Sequence, residues 1–441
     1  SSRNGVCRWF LINASSKFSE HSLQLVQVQV FFRHGARTPL HHVRSPNVDD
    51  AFWTPELIDD LPHTCYPFKI MDICSEQVID LSQVSSLPIP FRLPGGLYTG
   101  ELIKRGQEEA YALGRRLKSS YIDKRPFISS SINQEEVYCR STLIRRTIKS
   151  LRCVLAGIFG ENVKENPRVE PAVINVEPLD REYLFPNPMI CKAVDRFAKD
   201  GMSECLNSES HRRLKQTLKS VLGVKKLYDD FRPTPWDCPV YFVRDDYTSR
   251  KSANFPLPPG MDELFPTMHQ LAAEELYWEY LGMKQHWDAN LHVVMSGVFK
   301  MILCSMRHFT RVPKFQLYSC HDSTLMLLLY ALECFDGHWP PFAADLILEL
   351  YVDADVVKVL TEVDSSPQAD NNIRRLSNLQ YTPLDALWIR VSYLGQVVPL
   401  GCLWKTPYKD AGRYNKGYVP LHFLLERWSS SAPSFETLTL K

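Results

Sequence analysis

Three short segments carry most of the chemistry legible in this chain. Residues 25–32, rich in Val and Phe, run directly into Arg33-His34-Gly35-Ala36-Arg37-Thr38-Pro39; residues 136–139 run into Arg140-Ser141-Thr142; and the apolar stretch 315–320 runs into His321-Asp322. Arginine does not deprotonate at any ordinary pH, and its planar fork of N–H donors matches phosphate oxygens. Arg33, Arg37 and Arg140 together therefore specify a dianionic ligand with several oxygens, a phosphate. An imidazole among such cations stays neutral near and below neutral pH, and in that form it is a nucleophile able to accept a phosphoryl group. His34 is the candidate. The arginines would neutralise the equatorial oxygens during in-line transfer, with no metal required. Asp322, held protonated beside that anion, would give the proton that a leaving alkoxide needs, and His321 would hydrogen-bond a phosphate oxygen.

These residues meet only if the fold brings three strand ends together. Each segment reads as a β-strand bounded by turn residues, and the second and third lead into helical runs, 143–159 and a strongly apolar one from Ser323 onward. Ser141 and Thr142 are candidate N-caps. Helical periodicity recurs at 102–121, in the Leu214, Leu218, Val221 and Leu222 stripe, at 262–281 and at 291–309; the chain then returns to strands at 346–352, 356–363 and 387–394 and a helix at 420–428. Such alternation predicts an α/β fold, a largely parallel mixed sheet with helices on both faces, with its ligand site beyond the carboxyl ends of the strands. The Pro-rich stretch from Pro167 to Gly260 lacks the alternation and reads as an inserted cap. The expected organisation is a leader at 1–22, a catalytic core formed by 23–165 and 291–441, and a smaller, mainly helical cap at 166–290 to which loop 52–95 contributes. Polar 365–378 reads as a flexible hairpin connection.

Composition narrows the function. The 441 residues are 44% hydrophobic and 23% charged, and 51 Lys and Arg against 50 Asp and Glu leave a net charge of +1. This balance excludes a nucleic-acid binder that works through a basic field, and an acidic disordered chain. The longest apolar runs, such as 325–332, fall short of the roughly 18 residues that cross a bilayer, so no transmembrane segment is expected and contact with membrane lipid would be transient. Twelve cysteines without a CxxC pair argue against zinc-ribbon and thioredoxin-like chemistry. Cys139, Cys153, Cys304 and Cys320 read as buried thiols, and Cys65, Cys74, Cys191, Cys205 and Cys238 as bridge partners in an oxidising compartment. His41, His42, His63, His286, His292 and His308 lack metal-ligand spacing, so neither a metal nor a cofactor is expected. Residues 1–18 are basic and free of acidic residues, like the tail of an organellar transit peptide.

The segment Arg33 to Pro39 also resembles the RHGxRxP signature of the histidine acid phosphatases. Leu102-Ile103-Lys104-Arg105-Gly106, similar to that family's L-T-x-x-G helix start, Arg140-Ser141-Thr142 and Tyr318-Ser319-Cys320-His321-Asp322 follow in the family's order. The resemblance spans roughly Val28 to Trp428. Within the family, Tyr111-Ala112-Leu113-Gly114 and residues 137–142, 155–159 and 335–346 are similar to the lysophosphatidic acid phosphatases. It implies a metal-independent phosphomonoester hydrolase in which His34 is phosphorylated, Arg33, Arg37, Arg140 and His321 bind the phosphate, and Asp322 is the proton donor. It further implies a lysophospholipid substrate such as lysophosphatidic acid and a mitochondrial location. The rivals are a secretory-pathway phosphatase for a phosphorylated sugar of the phosphoxylose type, a phosphotransferase, and a non-catalytic phospholipid-binding module. Arg146 matches a family position, but helix surfaces commonly carry arginine, so it and Arg145 are left outside the expected site. Phe52 and Trp53 are candidates for lining an acyl channel or for packing.

Overall fold

A computed structural model describes residues 23–86, 90–165, 169–227, 238–354, 384–400 and 416–428. Among these, one ten-stranded sheet is built from β1 (Leu23–Arg33), β2 (Phe68–Asp72), β3 (Val78–Ile79), β4 (Val137–Ser141), β5 (Ala172–Val176), β6 (Phe315–Cys320), β7 (Asp345–Asp353), β8 (Leu387–Tyr393), β9 (Gln396–Val397) and β10 (Tyr418–Pro420). The α-helices are α1 (Lys104–Lys118), α2 (Arg145–Glu165), α3 (Ala193–Asn207), α4 (Glu209–Leu222), α5 (Val240–Ser252), α6 (Met261–Leu281), α7 (Trp287–Arg307), α8 (Asp322–Ala331) and α9 (Leu421–Trp428). The sheet order is β10-β8-β7-β1-β6-β4-β5-β2-β3, with β9 on β8. Its middle, β1-β6-β4-β5-β2, is parallel, and the flanks are antiparallel. The expected mixed sheet is observed, with its parallel pairing confined to the five central strands.

Register brings the three chemical segments together. Across β6, Arg33 of β1 pairs with Cys320 and Ser141 of β4 pairs with Ser319, so the three strands end level and the loops after them share one edge. Strand β6 is buried along its whole length, including its polar Gln316 and Ser319, as a strand covered on both faces must be. Leu325, Leu327, Leu328 and Leu329 of α8 are fully buried as well; at about 1.5–3 kcal/mol per buried leucine, they anchor the helix that opens at Asp322.

The loop after β1 rests on the start of α1, backbone against backbone. A Cβ on Gly35 would lie 2.1 Å from the Gly106 carbonyl oxygen, and one on Gly106 would lie 2.1 Å from that of Ala36. Ile103 N–H donates to the Ala36 carbonyl at 3.0 Å. Both motifs carry glycine because no side chain fits between them.

Several elements differ from expectation. Residues 172–176, expected in the cap, pair with β4 and β2 as β5, so the sheet extends into the stretch read as an insertion. That stretch also holds α3 and α5, neither of which is among the helices expected from the sequence, although α3 buries an apolar stripe of Val194, Phe197, Met202, Cys205 and Leu206. In α5 the reason is plain, because Arg244, Asp245, Asp246, Ser249 and Arg250 are buried along with Phe242 and Val243. Helices α3 to α6 pack on one another. The segment Lys284–Arg307 is long and apolar enough to cross a membrane, contrary to the reading of short apolar runs, yet Met295, Val298, Phe299 and Ile302 of α7 are fully buried in the core. Among the described residues, Cys65, Cys74, Cys191, Cys205 and Cys238 form no disulfide bridge, and Cys304 is half-buried. The expected leader, strand 356–363 and connection 365–378 lie outside the described residues.

Candidate active site

His34 stands at the exit of β1, held on both sides of the peptide: its N–H donates to the Cys320 carbonyl (3.2 Å), and its own carbonyl accepts from Ala343 N–H (3.1 Å). Nδ1 lies 2.9 Å from the Gly35 carbonyl oxygen. A carbonyl can only accept, so Nδ1 carries the proton and Nε2 carries the lone pair. Burial, followed by the charges of Arg146, Arg37 and Arg33, holds the His34 pKa well below the usual histidine value and the ring neutral.

Each guanidinium is fixed in its own way. Arg33 donates from Nη1 to the Pro340 carbonyl (2.7 Å), pairs through Nη2 with Asp322 Oδ2 (2.7 Å), and lies over the Phe342 ring at 4.2 Å. Arg37 pairs with Asp245 of α5 at 2.7 Å, and the other oxygen of Asp245 accepts from the backbone N–H groups of Leu40 and His41. Arg146, in the first turn of α2, donates from Nη1 to the Ser86 carbonyl (2.8 Å), while Nη2 approaches His321 Nδ1 (3.5 Å). Burial, with Arg37 nearby, brings the Arg146 pKa down to about 9. The Nε donors of Arg33, Arg37 and Arg146 are all buried without a hydrogen-bond partner among the described residues.

Arg140 corrects the expectation. Its guanidinium forms a two-pronged pair with the fully buried Glu182 (3.0 and 3.1 Å), also donates to the Ser141 carbonyl, and lies 5.8 Å from the centre of the Tyr183 ring. Its fork is already filled by a carboxylate, and the cations that bear most on His34 are Arg146, Arg37 and Arg33. The third arginine facing the imidazole is therefore Arg146, six residues further on. Its match to a family position is the signal the sequence offers, and the frequency of arginine on helix surfaces masks it.

His321 caps α8, with its ring 5.7 Å from that of His34. Because Arg146 has only donors to offer, Nδ1 of His321 is the acceptor and Nε2–H faces Thr142 Oγ1 at 3.1 Å. Asp322 accepts from Arg33, from Trp339 Nε1 (2.9 Å) and from Ser323 N–H (3.0 Å). Burial alone would raise its pKa, but Arg33, Arg37 and the Trp339 bond outweigh burial and hold it well below the usual carboxylate range. In this state Asp322 is ionised, contrary to the expectation of a protonated acid.

From Arg33 a cavity of about 670 Å³ opens outward between α5, α6 and the loop before β7, walled by Arg244, Tyr247, Phe265, Trp339 and Phe342. Phe52 and Trp53 do not line it. Phe52 is exposed, and Trp53 packs in the core against Phe255.

The sequence from residue 24 to residue 251 matches the profile described as Histidine phosphatase superfamily (branch 2). The chain belongs to this superfamily. Lysophosphatidic acid phosphatase type 6 of Homo sapiens is 30% identical over 339 residues, which cover 75% of this chain and 74% of the relative. Lysosomal acid phosphatase of Homo sapiens is 28% identical over 261 residues, 57% of this chain and 59% of its own. Among solved structures, the apo form of Hafnia alvei phytase aligns over 96% of this branch 2 histidine phosphatase and 100% of its own chain, with a TM-score of 0.56 at 12% identity, a likeness of fold alone.

Proposed function

We propose that this branch 2 histidine phosphatase hydrolyses phosphomonoesters through a phosphohistidine on His34. The observation that carries the reading is a buried imidazole, held through Nδ1–H by the Gly35 carbonyl and kept neutral by burial and by the charges of Arg146, Arg37 and Arg33. The phosphoryl group of the substrate supplies acceptors for N–H groups that are otherwise buried and unmet, and charge for cations that outnumber their carboxylates. Nε2 attacks phosphorus in line, the ester P–O bond breaks, and the three arginines stabilise the equatorial oxygens. His321 Nε2–H turns from Thr142 Oγ1 to one of them. Water then attacks the phosphohistidine and releases phosphate.

Asp322 gives the leaving oxygen its proton, and substrate binding prepares it. The incoming dianion competes for Arg33 and places negative charge beside the carboxylate, so its pKa rises from the depressed value of the free enzyme and a proton is taken up. His34 needs no deprotonation, because its pKa is already low. Mildly acidic pH therefore satisfies both groups.

The substrate class rests on the relatives and on the vestibule. The name of the human relative supports lysophosphatidic acid, and the aromatic wall formed by Tyr247, Phe265, Trp339 and Phe342 supports a leaving group with an apolar part, reached through transient contact with membrane lipid. Helices α3 to α6 act as the cap that shapes this vestibule. The lysosomal relative supports the secretory-pathway alternative for location. A phosphate-release panel in EDTA, comparing lysophosphatidic acid, phosphatidic acid and a phosphosugar, tests the reading: release from lysophosphatidic acid above the other two is expected, and no release from any of them refutes it.

A further inference from the structure

Helix α5 brings one more cation to the vestibule. Arg244 is 3% exposed and stands in the cavity wall. Its Nε points at His269 Nδ1 (3.2 Å) and its plane lies over the Trp339 ring at 4.4 Å. These contacts fix the guanidinium in the cavity wall, yet among the described residues no carboxylate pairs with it and its one side-chain hydrogen bond is made by Nε. His269 cannot supply the counter-charge, because burial and Arg244 itself bring its pKa down to about 4 and the ring is neutral. The other vestibule cations are all answered: Arg33 by Asp322, Arg105 by Glu109 and Lys251 by Asp262. A buried guanidinium without a counter-charge in contact is costly, which makes Arg244 a donor fork kept for an anion that enters the cavity.

Its place distinguishes it from the phosphoryl-binding set. Arg244 lies over the ring of Trp339, whose Nε1 donates to Asp322 at 2.9 Å, and it lines the cavity beside Arg33, whereas the charges that bear most on His34 come from Arg146, Arg37 and Arg33. Arg244 thus stands on the side of the leaving group. We infer that Arg244 forms a second anion-binding subsite there, and that the enzyme has a further activity on small phosphomonoesters whose leaving group carries an anionic group of its own. This inference rests on the phosphomonoesterase reading and adds to the lipid activity, since the monoacylglycerol released from lysophosphatidic acid is neutral. The chemistry is unchanged: the ester P–O bond breaks, Nε2 of His34 takes the phosphoryl group, and the leaving oxygen takes a proton from Asp322.

Two matched pairs test it at different spacings: 3-phosphoglycerate against glycerol 3-phosphate, and 6-phosphogluconate against sorbitol 6-phosphate, each pair differing by a carboxylate in place of a hydroxymethyl group. Phosphate release by the full chain at mildly acidic pH is expected to give a kcat/KM ratio of about tenfold or more in favour of the carboxylate in at least one pair, the size of a charge-assisted hydrogen bond. In Arg244→Met that ratio falls toward one, and Arg244→Lys retains part of it. A wild-type ratio near one in both pairs overturns the inference without reference to any variant. So does an Arg244→Met variant that slows both members of a pair by the same factor, which assigns the residue to the transferred phosphoryl group or to Asp322. Absence of release from every substrate, p-nitrophenyl phosphate included, instead refutes the phosphomonoesterase reading on which the inference rests.

Discussion

Exchanging the roles of Arg140 and Arg146 makes a quantitative prediction. Arg146→Met removes the cation that bears most strongly on His34 and sits beside His321. Guanidinium donors to a charged oxygen are worth about 1.5–3 kcal/mol each, and loss of a donor that acts in the transition state costs about 10²–10³ in rate. We expect kcat/KM for p-nitrophenyl phosphate to fall by about that factor of 10²–10³. The pH profile carries a second signature. Arg146 lowers the His34 pKa, so without it the ring protonates at higher pH and the acid limb of kcat/KM moves upward. Arg140→Met has the opposite phenotype. It leaves Glu182 buried without its two-pronged partner, and breaking such a pair costs about 3–5 kcal/mol of stability. The unfolding midpoint should drop while kcat/KM of the folded fraction stays close to that of the parent, and Arg140→Met with Glu182→Leu should recover part of the loss. Steady-state kinetics and thermal unfolding of the variants decide the matter. A stable but inactive Arg140→Met beside an active Arg146→Met would refute the reasoning.

Three further outcomes follow from the same geometry. Asp322→Asn should slow release from an alkyl phosphate far more than from p-nitrophenyl phosphate, whose leaving group needs little protonation; equal slowing would remove the proton-donor role. Sulfate, a dianion with no proton of its own, should bind at about pH 5 with uptake of a proton by Asp322, seen as buffer-dependent heat in calorimetry, and Asp322→Asn should abolish the dependence; buffer-independent heat in the wild type would contradict the account of Asp322 given above. Gly106→Ala drives a methyl group into the Ala36 carbonyl, so activity on all phosphomonoesters should fall together along with the unfolding midpoint; an unaffected variant would show that the phosphate loop does not depend on this contact.

The ends of β1, β4 and β6 were legible because these strands are largely buried and lead directly into charged or turn-forming residues. Residues 315–320 were read as they stand in β6, and His34, His321 and Asp322 follow such strands directly. Periodicity also located α4, α6 and α7, whose buried faces are largely apolar. Helix α5 was not legible, because its buried face is built from Arg244, Asp245, Asp246 and Arg250, each of which reads as solvent-facing until its tertiary partner is known. Arg140 and Arg146 failed for a related reason. Both are arginines at the β4–α2 junction and suit a phosphate by residue type, and only Glu182, 42 residues beyond Arg140, distinguishes them. The state of Asp322 was misread because its partner, Arg33, is itself a member of the site.

Rapid quenching into alkali, where phosphohistidine survives, tests the central claim most directly. Within the first turnovers of a labelled phosphomonoester, the account predicts phosphate bound covalently to the chain, mapping to the peptide that contains His34 and carried on Nε2. A pre-steady-state reaction that releases the alcohol with no labelled histidine, or with label on another residue, would contradict it.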